Sequence, residues 1–257
     1  MKKYAYYHIY LTDDTGAWSS MFLDQMTLIS NSKLKLDRLF INCIGSEEQI
    51  NLFIGICSQF DVQILNCIKT NIQDQQLQSS YLDNNEHFDE TITLNLLQQH
   101  AKQEDAYFLY FHSKGITATS RLKESRNFRQ YINYYNWRKF MEWGCIENWK
   151  QCIDQLETHS CSSVNLCLWP TPHYSGGFWW TKSSYVNKLP NILETDWWLD
   201  MIATTELNSW NSFRLKPEMW IGAAYDNDFY SITEAPNMPP ISSLAETSFP
   251  RSMYTQD

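Results

Sequence analysis

The sequence predicts an α/β fold: a mostly parallel central sheet with helices on both faces. Three observations carry this. The first half alternates short apolar runs of strand length with stripes of helical period, the order that builds parallel sheets from β-α-β units. The length, 257 residues, is enough for one large domain with a sizeable core. Hydrophobic residues make up 43% and charged ones 19%, a balance that excludes extensive intrinsic disorder.

The elements follow in order. Tyr4–Leu11 reads as a strand, closed by an Asp13-Asp14-Thr15-Gly16 turn. Trp18, Phe22, Met26 and Ile29 form a helical stripe. Leu39–Ile44 is a second strand, ended by Gly45. Ser46-Glu47-Glu48-Gln49 then has the pattern of a capping box, with Ile50, Phe53, Ile54 and Cys57 on one helix face. Val62–Cys67 is a third strand, and the polar, Gln-rich 71–85 reads as a surface excursion. Leu94, Leu97 and Ala101 mark another helix, and Ala106–Phe111 is a fully apolar fourth strand. Met141, Cys145, Trp149, Cys152 and Leu156 predict one long amphipathic helix over 136–157. Ser163–Leu168 and Gly177–Thr181 read as strands on either side of a Pro170/Pro172 turn. Residues 236–257, rich in Pro and without period, are expected to be disordered or laid over the surface.

The formal charge of −9 argues against a general nucleic-acid binder, which needs a basic face for the phosphates. No stretch is long enough to span a membrane, and the apolar run after Lys2-Lys3 is too short for a secretory leader. Seven irregularly spaced cysteines without a CxxC pair predict no zinc ribbon and no disulfide framework, and hence a reducing, cytoplasmic setting. Aromatic residues reach 15% of the chain, which fits a ring-rich core or a site for flat ligand faces such as sugars and bases.

Ligands of open α/β sheets bind outside the carboxyl ends of the strands. There the fourth strand delivers His112-Ser113-Lys114-Gly115, a donor-rich end suited to an anion. Seven basic residues (Lys114, Arg121, Lys123, Arg126, Arg129, Arg138 and Lys139) lie between His112 and Lys139 against one acid, Glu124. A local basic segment in an acidic chain points to one anionic ligand; for Arg121–Arg129 a solvated helix face is the equal alternative. The second constellation is His173-Tyr174-Ser175-Gly176-Gly177-Phe178-Trp179-Trp180. Its paired glycines allow close backbone approach to a ligand or a bulge. In a strand Trp179 and Trp180 face opposite sides, so at most one can line a pocket.

These residues carry a resemblance. The Tyr7-His8-Ile9-Tyr10 start, Phe111-His112-Ser113-Lys114-Gly115, Trp137-Arg138-x-x-Met141, the His173–Trp180 motif, Ser184-Tyr185, Leu189-Pro190 and Glu218-x-Trp220-Ile221-Gly222 together resemble a family of GT-A-fold glycosyltransferases over about 6–222. The resemblance implies a GT-A-like domain over 1–235, with a nucleotide-binding half (1–111) and a donor-sugar and acceptor half (112–235). The activity implied is transfer of a sugar from a nucleotide diphosphate sugar to a glycan or other hydroxyl acceptor. It places base and ribose near Thr12, Asp13, Asp14 and Thr15, although Asp14 could instead cap the following helix. His112, Ser113, Lys114 and Gly115 then face the diphosphate, and Ser175, Gly176, Gly177 and Trp179 the sugar. Glu218 and His173 take the catalytic roles, with Glu206 and Asp196 as the other candidate bases. The chain departs from the superfamily where a metal-binding Asp-x-Asp commonly ends the fourth strand: His112-Ser113-Lys114 stands there, and a lysine repels a cation. No metal ligand is therefore assigned, and a need for Mg²⁺ or Mn²⁺ stays open. Asp226-Asn227-Asp228 spells Asp-x-Asp but comes late and reads as a surface turn. The alternative to an enzyme is a non-catalytic carbohydrate- or nucleotide-sugar-binding protein on the same fold.

Overall fold

A computed structural model describes residues 1–69, 90–116, 128–203, 215–224, 228–232 and 249–255. The Gln-rich stretch, Arg121, Lys123, Arg126, Glu206 and Asp226-Asn227 lie outside the described residues. The chain opens with β1 (Lys2–Leu11), α1 (Thr15–Asn31), β2 (Arg38–Gly45), α2 (Glu47–Cys57) and β3 (Val62–Lys69). After these come α3 (Thr91–Ala101), β4 (Ala106–His112) and α4 (Phe128–Glu142). The described strands build a seven-stranded sheet in the order β3-β2-β1-β4, then β8 (Trp179–Lys182), β5 (Cys161–Ser163) and β9 (Phe229–Ser231). Strands β3, β2, β1 and β4 run parallel.

Local chemistry explains where these elements begin. Asp14 caps α1, its carboxylate accepting from the Ala17 amide at 3.0 Å. Ser46 caps α2 by accepting from the Gln49 amide at 3.3 Å. Only that half of the expected capping box forms. The Gln49 side chain turns inward, where its Oε1 accepts from Trp18 Nε1 at 2.8 Å and from Thr15 Oγ1 at 2.9 Å, tying α2 to α1. Ile50, Phe53 and Cys57 are buried as expected, whereas Ile54 is exposed.

The sheet has an apolar core on each face. Tyr7, Ile9, Leu11 and Phe111 pack under α1, α2 and α4, and Tyr4, Tyr6, Phe108 and Tyr110 pack under α3. The fully buried β4 therefore belongs at the centre of the sheet, as its sequence required.

The second half departs from expectation at three places. The long helix over 136–157 is interrupted: a π turn (Trp143–Glu147) follows α4, and α5 (Trp149–Gln155) resumes after Asn148. Gly144 sits in that turn against Val164, where a Cβ would overlap the valine, so the backbone closes directly on that side chain. Met141, Cys145, Cys152 and Leu156 still reach the core; the period marked the buried face and not the break. The strand expected over 163–168 is split into β5 (Cys161–Ser163) and β6 (Leu166–Cys167) by Asn165, whose φ of 64° turns the chain. β6 pairs with β7 (His173–Tyr174) in a separate two-stranded ribbon. The strand expected at Gly177–Thr181 is β8 (Trp179–Lys182), antiparallel to both β4 and β5, which makes the sheet mixed. β9 (Phe229–Ser231) closes it parallel to β5.

Helices α6 (Ser183–Val186), α7 (Asp196–Ala203) and α8 (Lys216–Trp220) complete the described α-helices. Of the Pro-rich end, residues 249–255 return to the core: Phe249 and Tyr254 are buried, with ring centroids 4.9 Å from that of Phe140. Among the described residues no helix is long and apolar enough to cross a membrane.

Candidate functional site

The chain runs from β1 outward to β2 and β3, then returns to place β4 on the other side of β1. The sheet order therefore reverses between β1 and β4, and both strands end on the same side, with His8 opposite His112. Such a reversal opens a crevice beyond the strand ends. Thr12–Thr15 and His112–Gly115 leave the sheet there.

The strand end is fixed by backbone geometry. Ser113 donates its amide to the His8 carbonyl at 3.0 Å, and its hydroxyl accepts from the Tyr10 amide at 3.0 Å, so Ser113 extends the β1–β4 ladder. Gly115 turns the chain with a φ of 79°, close against Tyr134 of α4. Lys114 then projects over Trp137, its Nζ 4.5 Å from the ring centroid.

The His173–Gly177 segment meets this end. Asn165 clamps it by donating Nδ2 to the Ser175 carbonyl at 2.7 Å and accepting the Ser175 amide at 3.1 Å. Gly176, with a φ of 96°, presents both of its peptide groups. Its amide donates to Glu218 Oε1 at 2.7 Å, and its carbonyl accepts from His112 Nε2 at 2.6 Å. A Cβ at Gly176 would overlap Met141 and stand 3.2 Å from Trp137 Nε1. Gly177, with a φ of 79°, lies against His112 and Glu90. Gly176 thus occurs where only hydrogen fits beside α4, and both glycines adopt a positive φ that disfavours a side chain.

Glu218 lies in α8, a short helix with Pro217 in its first turn. Proline is well suited to that position because its missing N–H has no partner there in any helix. The Glu218 carboxylate stands 3.8 Å from Lys114 Nζ, and each side chain is 19% exposed. Burial pushes this carboxyl up, but Lys114, His173, the Gly176 amide and His112 outweigh it and hold it below the ordinary range. The pairing cation comes from the end of β4 and not from the neighbouring sequence. Lys216 is buried over Trp197 instead.

Both site histidines are neutral near pH 7. Burial and the adjacent Lys114 push His112 down to about 3, and burial lowers His173. Neutral His112 donates through Nε2, so its 3.4 Å approach to Glu90 is no ion pair. His173 donates Nδ1 to the Thr171 carbonyl at 2.7 Å, which leaves Nε2 as an acceptor. Burial likewise pushes His8 down to about 4; its Nδ1 meets Thr93 Oγ1 at 2.8 Å.

The remaining site assignments divide. Trp179 is buried against Tyr110 and Trp180 is buried on the opposite face, where its Nε1 donates to the Cys145 carbonyl. Neither ring lines the crevice, which corrects the placement of Trp179 beside the sugar. Asp14 is committed to its cap and Thr15 to Gln49, while Asp13 is exposed. Asp196 is exposed in the first turn of α7. Two members of the basic segment serve the core: Lys139 Nζ at 2.8 Å and Arg138 Nε at 3.2 Å both face the buried Glu142, which also accepts from Gln25 at 2.9 Å.

Three site residues were missed. Glu90, 27% exposed on its side chain, accepts from the Tyr110 hydroxyl at 2.7 Å, and its carboxylate makes no capping bond to the helix it precedes. No local pattern marks it. Trp137 and Met141 stood in a motif without a role, and their i, i+4 spacing was the available signal. Trp137 Nε1 is buried beside Gly176 without a hydrogen-bond partner among the described residues. Among those residues no group of three or more His, Cys, Asp or Glu could hold a metal ion.

Residues 6–214 match the family described as Domain of unknown function (DUF8361), and the chain belongs to that family. A search of curated proteins finds no match.

Proposed function

We propose that this DUF8361 member is a glycosyltransferase of GT-A-like fold that moves a sugar from a nucleotide diphosphate sugar to a glycan or other hydroxyl acceptor. The observation that supports it is convergence. His112 and Lys114 from the end of β4, His173 from the ribbon, Gly176 just after it, and Glu218 from α8 meet at the crevice where the sheet order reverses. In this reading the base and ribose lie toward Thr12–Thr15 and the diphosphate meets Lys114. All seven cysteines are free thiols, which supports a reducing, cytoplasmic setting.

The charges suggest how such a site would work. A diphosphate bound to Lys114 draws the ammonium's field away from Glu218 and adds negative charge beside it. Both changes raise the carboxylate's proton affinity. Glu218 would then gain basicity when the donor is in place, ready to accept the proton of an acceptor hydroxyl. Lys114 would stabilise the charge that grows on the departing diphosphate, and the neutral His173 would offer Nε2 to a sugar or acceptor hydroxyl. Lys114, 3.8 Å from the Glu218 carboxylate, would repel a donor-bridging cation held there. No step is assigned to a metal.

Thermal-shift screening against a panel of nucleotide sugars tests the proposal. A ligand present at about 100 times its Kd stabilises the native state by about 2.7 kcal/mol, a readable shift. Stabilisation by saccharides with none by any nucleotide would favour a carbohydrate-binding protein instead.

A further inference from the structure

Away from the crevice, the parallel strands β2 and β3 place two thiols side by side. Cys43 and Cys67 are Cα partners in the register, so their side chains leave the sheet on the same face. Their sulfurs stand 3.2 Å apart. Partner residues on parallel strands lie about 4.8 Å apart, inside the Cα window of about 4.4–6.8 Å that a disulfide requires. The two thiols differ in access: Cys43 is fully buried, whereas Cys67 is exposed on the edge strand. The pairing of the two strands is already irregular, since a bulge between Ile41 and Asn42 shifts the register just before this pair. A third thiol, Cys57 of α2, is buried in the same core cluster as Cys43.

We infer that Cys43 and Cys67 form a reversible oxidation site, in which a hydroperoxide converts the two thiols to a cross-strand disulfide. The exposed Cys67 reacts first. Its sulfur attacks one peroxide oxygen, the S–O bond forms as the O–O bond breaks, and with hydrogen peroxide one water leaves. The product is a sulfenic acid on Cys67. Cys43 sulfur then attacks Cys67 sulfur: the S–S bond forms, the S–O bond breaks, and the hydroxyl departs as a second water with the Cys43 proton. Two thiols are oxidised and one peroxide is reduced. The disulfide fastens β3 to β2, and a dithiol reverses the step. Burial keeps Cys43 from meeting the oxidant directly, so it acts as the resolving partner.

The test is peroxide titration of the native full-length chain, followed by alkylation and peptide mapping. The expected result is a linked Cys43–Cys67 peptide, with two of the seven thiols lost and both restored by dithiothreitol. Cys43→Ser should accumulate a dimedone-reactive sulfenic acid on Cys67, Cys67→Ser should leave Cys43 reduced, and Cys57→Ser should behave as wild type. A Cys57–Cys67 peptide, a link between two chains, or oxidation of Cys67 to the sulfinic acid without a cross-strand link would each overturn the assignment. The mapping is done on the wild-type chain, so a variant that fails to fold leaves the test intact.

Discussion

Replacing Gly176 by Ala tests the geometry on which the crevice depends. The residue has a φ of 96°, and its added Cβ would overlap Met141, with the nearest methyl carbon at 2.9 Å. An L-residue forced to positive φ costs about 1–2 kcal/mol, and overpacking a filled core costs about 1–3 kcal/mol. The thioether end of Met141 can move, so the lower part of the second range applies and the total is about 2–4 kcal/mol. In urea, with an m-value of about 2 kcal/mol/M, the midpoint should fall by about 1–2 M. The same shift carries the amide away from Glu218 and the carbonyl away from His112, so nucleoside diphosphate binding should weaken as well. Met141→Ala removes the overlap but not the φ cost. In a double-mutant cycle the pair should therefore fall short of additivity by about 1 kcal/mol or more. A Gly176→Ala variant within about 0.5 kcal/mol of wild type, or strict additivity with Met141→Ala, would refute the argument.

Other changes bear on the charges and the core. Lys114→Ala should weaken nucleoside diphosphate binding by tenfold or more in calorimetry, from the loss of a charge-assisted contact of about 1.5–3 kcal/mol, and should spare the bare nucleoside; equal losses would place Lys114 away from the phosphates. Glu218→Gln should cut sugar transfer by about 10²–10⁴-fold while leaving donor binding near wild type, and an undiminished rate would remove Glu218 as the base. The folded state holds the Glu218 carboxyl below its ordinary range, so its stabilising effect is complete above the unfolded value near 4.3 and is lost as pH falls through the depressed folded value. The stability gap between wild type and Glu218→Gln should accordingly be constant near neutrality and shrink in acid; a gap that grows in acid would reverse the assigned sign. Phe249→Ala should cost about 3–5 kcal/mol in urea denaturation, because the ring is buried against Phe140; a neutral result would return this segment to the surface.

Both halves of the crevice were legible in the sequence as separate pieces. The strand end at His112–Gly115 announced itself by donors and a glycine after an apolar run, and Gly176-Gly177 by a pair that no regular strand needs. Their meeting was not legible, because it depends on β8 pairing antiparallel to β4 and on Asn165 turning the ribbon over. Glu218 shows the limit best. Lys216 stands two positions away, yet the carboxylate finds Lys114, more than a hundred positions earlier in the chain. Trp179 shows the opposite error. A ring beside a glycine pair looked like a stacking face, but the alternation of β8 sends Trp179 and Trp180 into the two cores.

By itself the sequence determined what short-range physics controls. Apolar period set the β1–β4 succession and the faces of α1 to α3, Asp14 and Ser46 set two helix starts, and the apolar run of β4 set its central place. Tertiary structure decided what depends on partners distant in the chain. It made the sheet mixed, broke the long helix at the Gly144 contact with Val164, drew Arg138 and Lys139 onto the buried Glu142, and lowered the proton affinity of Glu218. The physical reason is range. Capping and periodicity act within one or two turns, whereas burial and ion pairing depend on distance through space, which the order of residues does not encode locally.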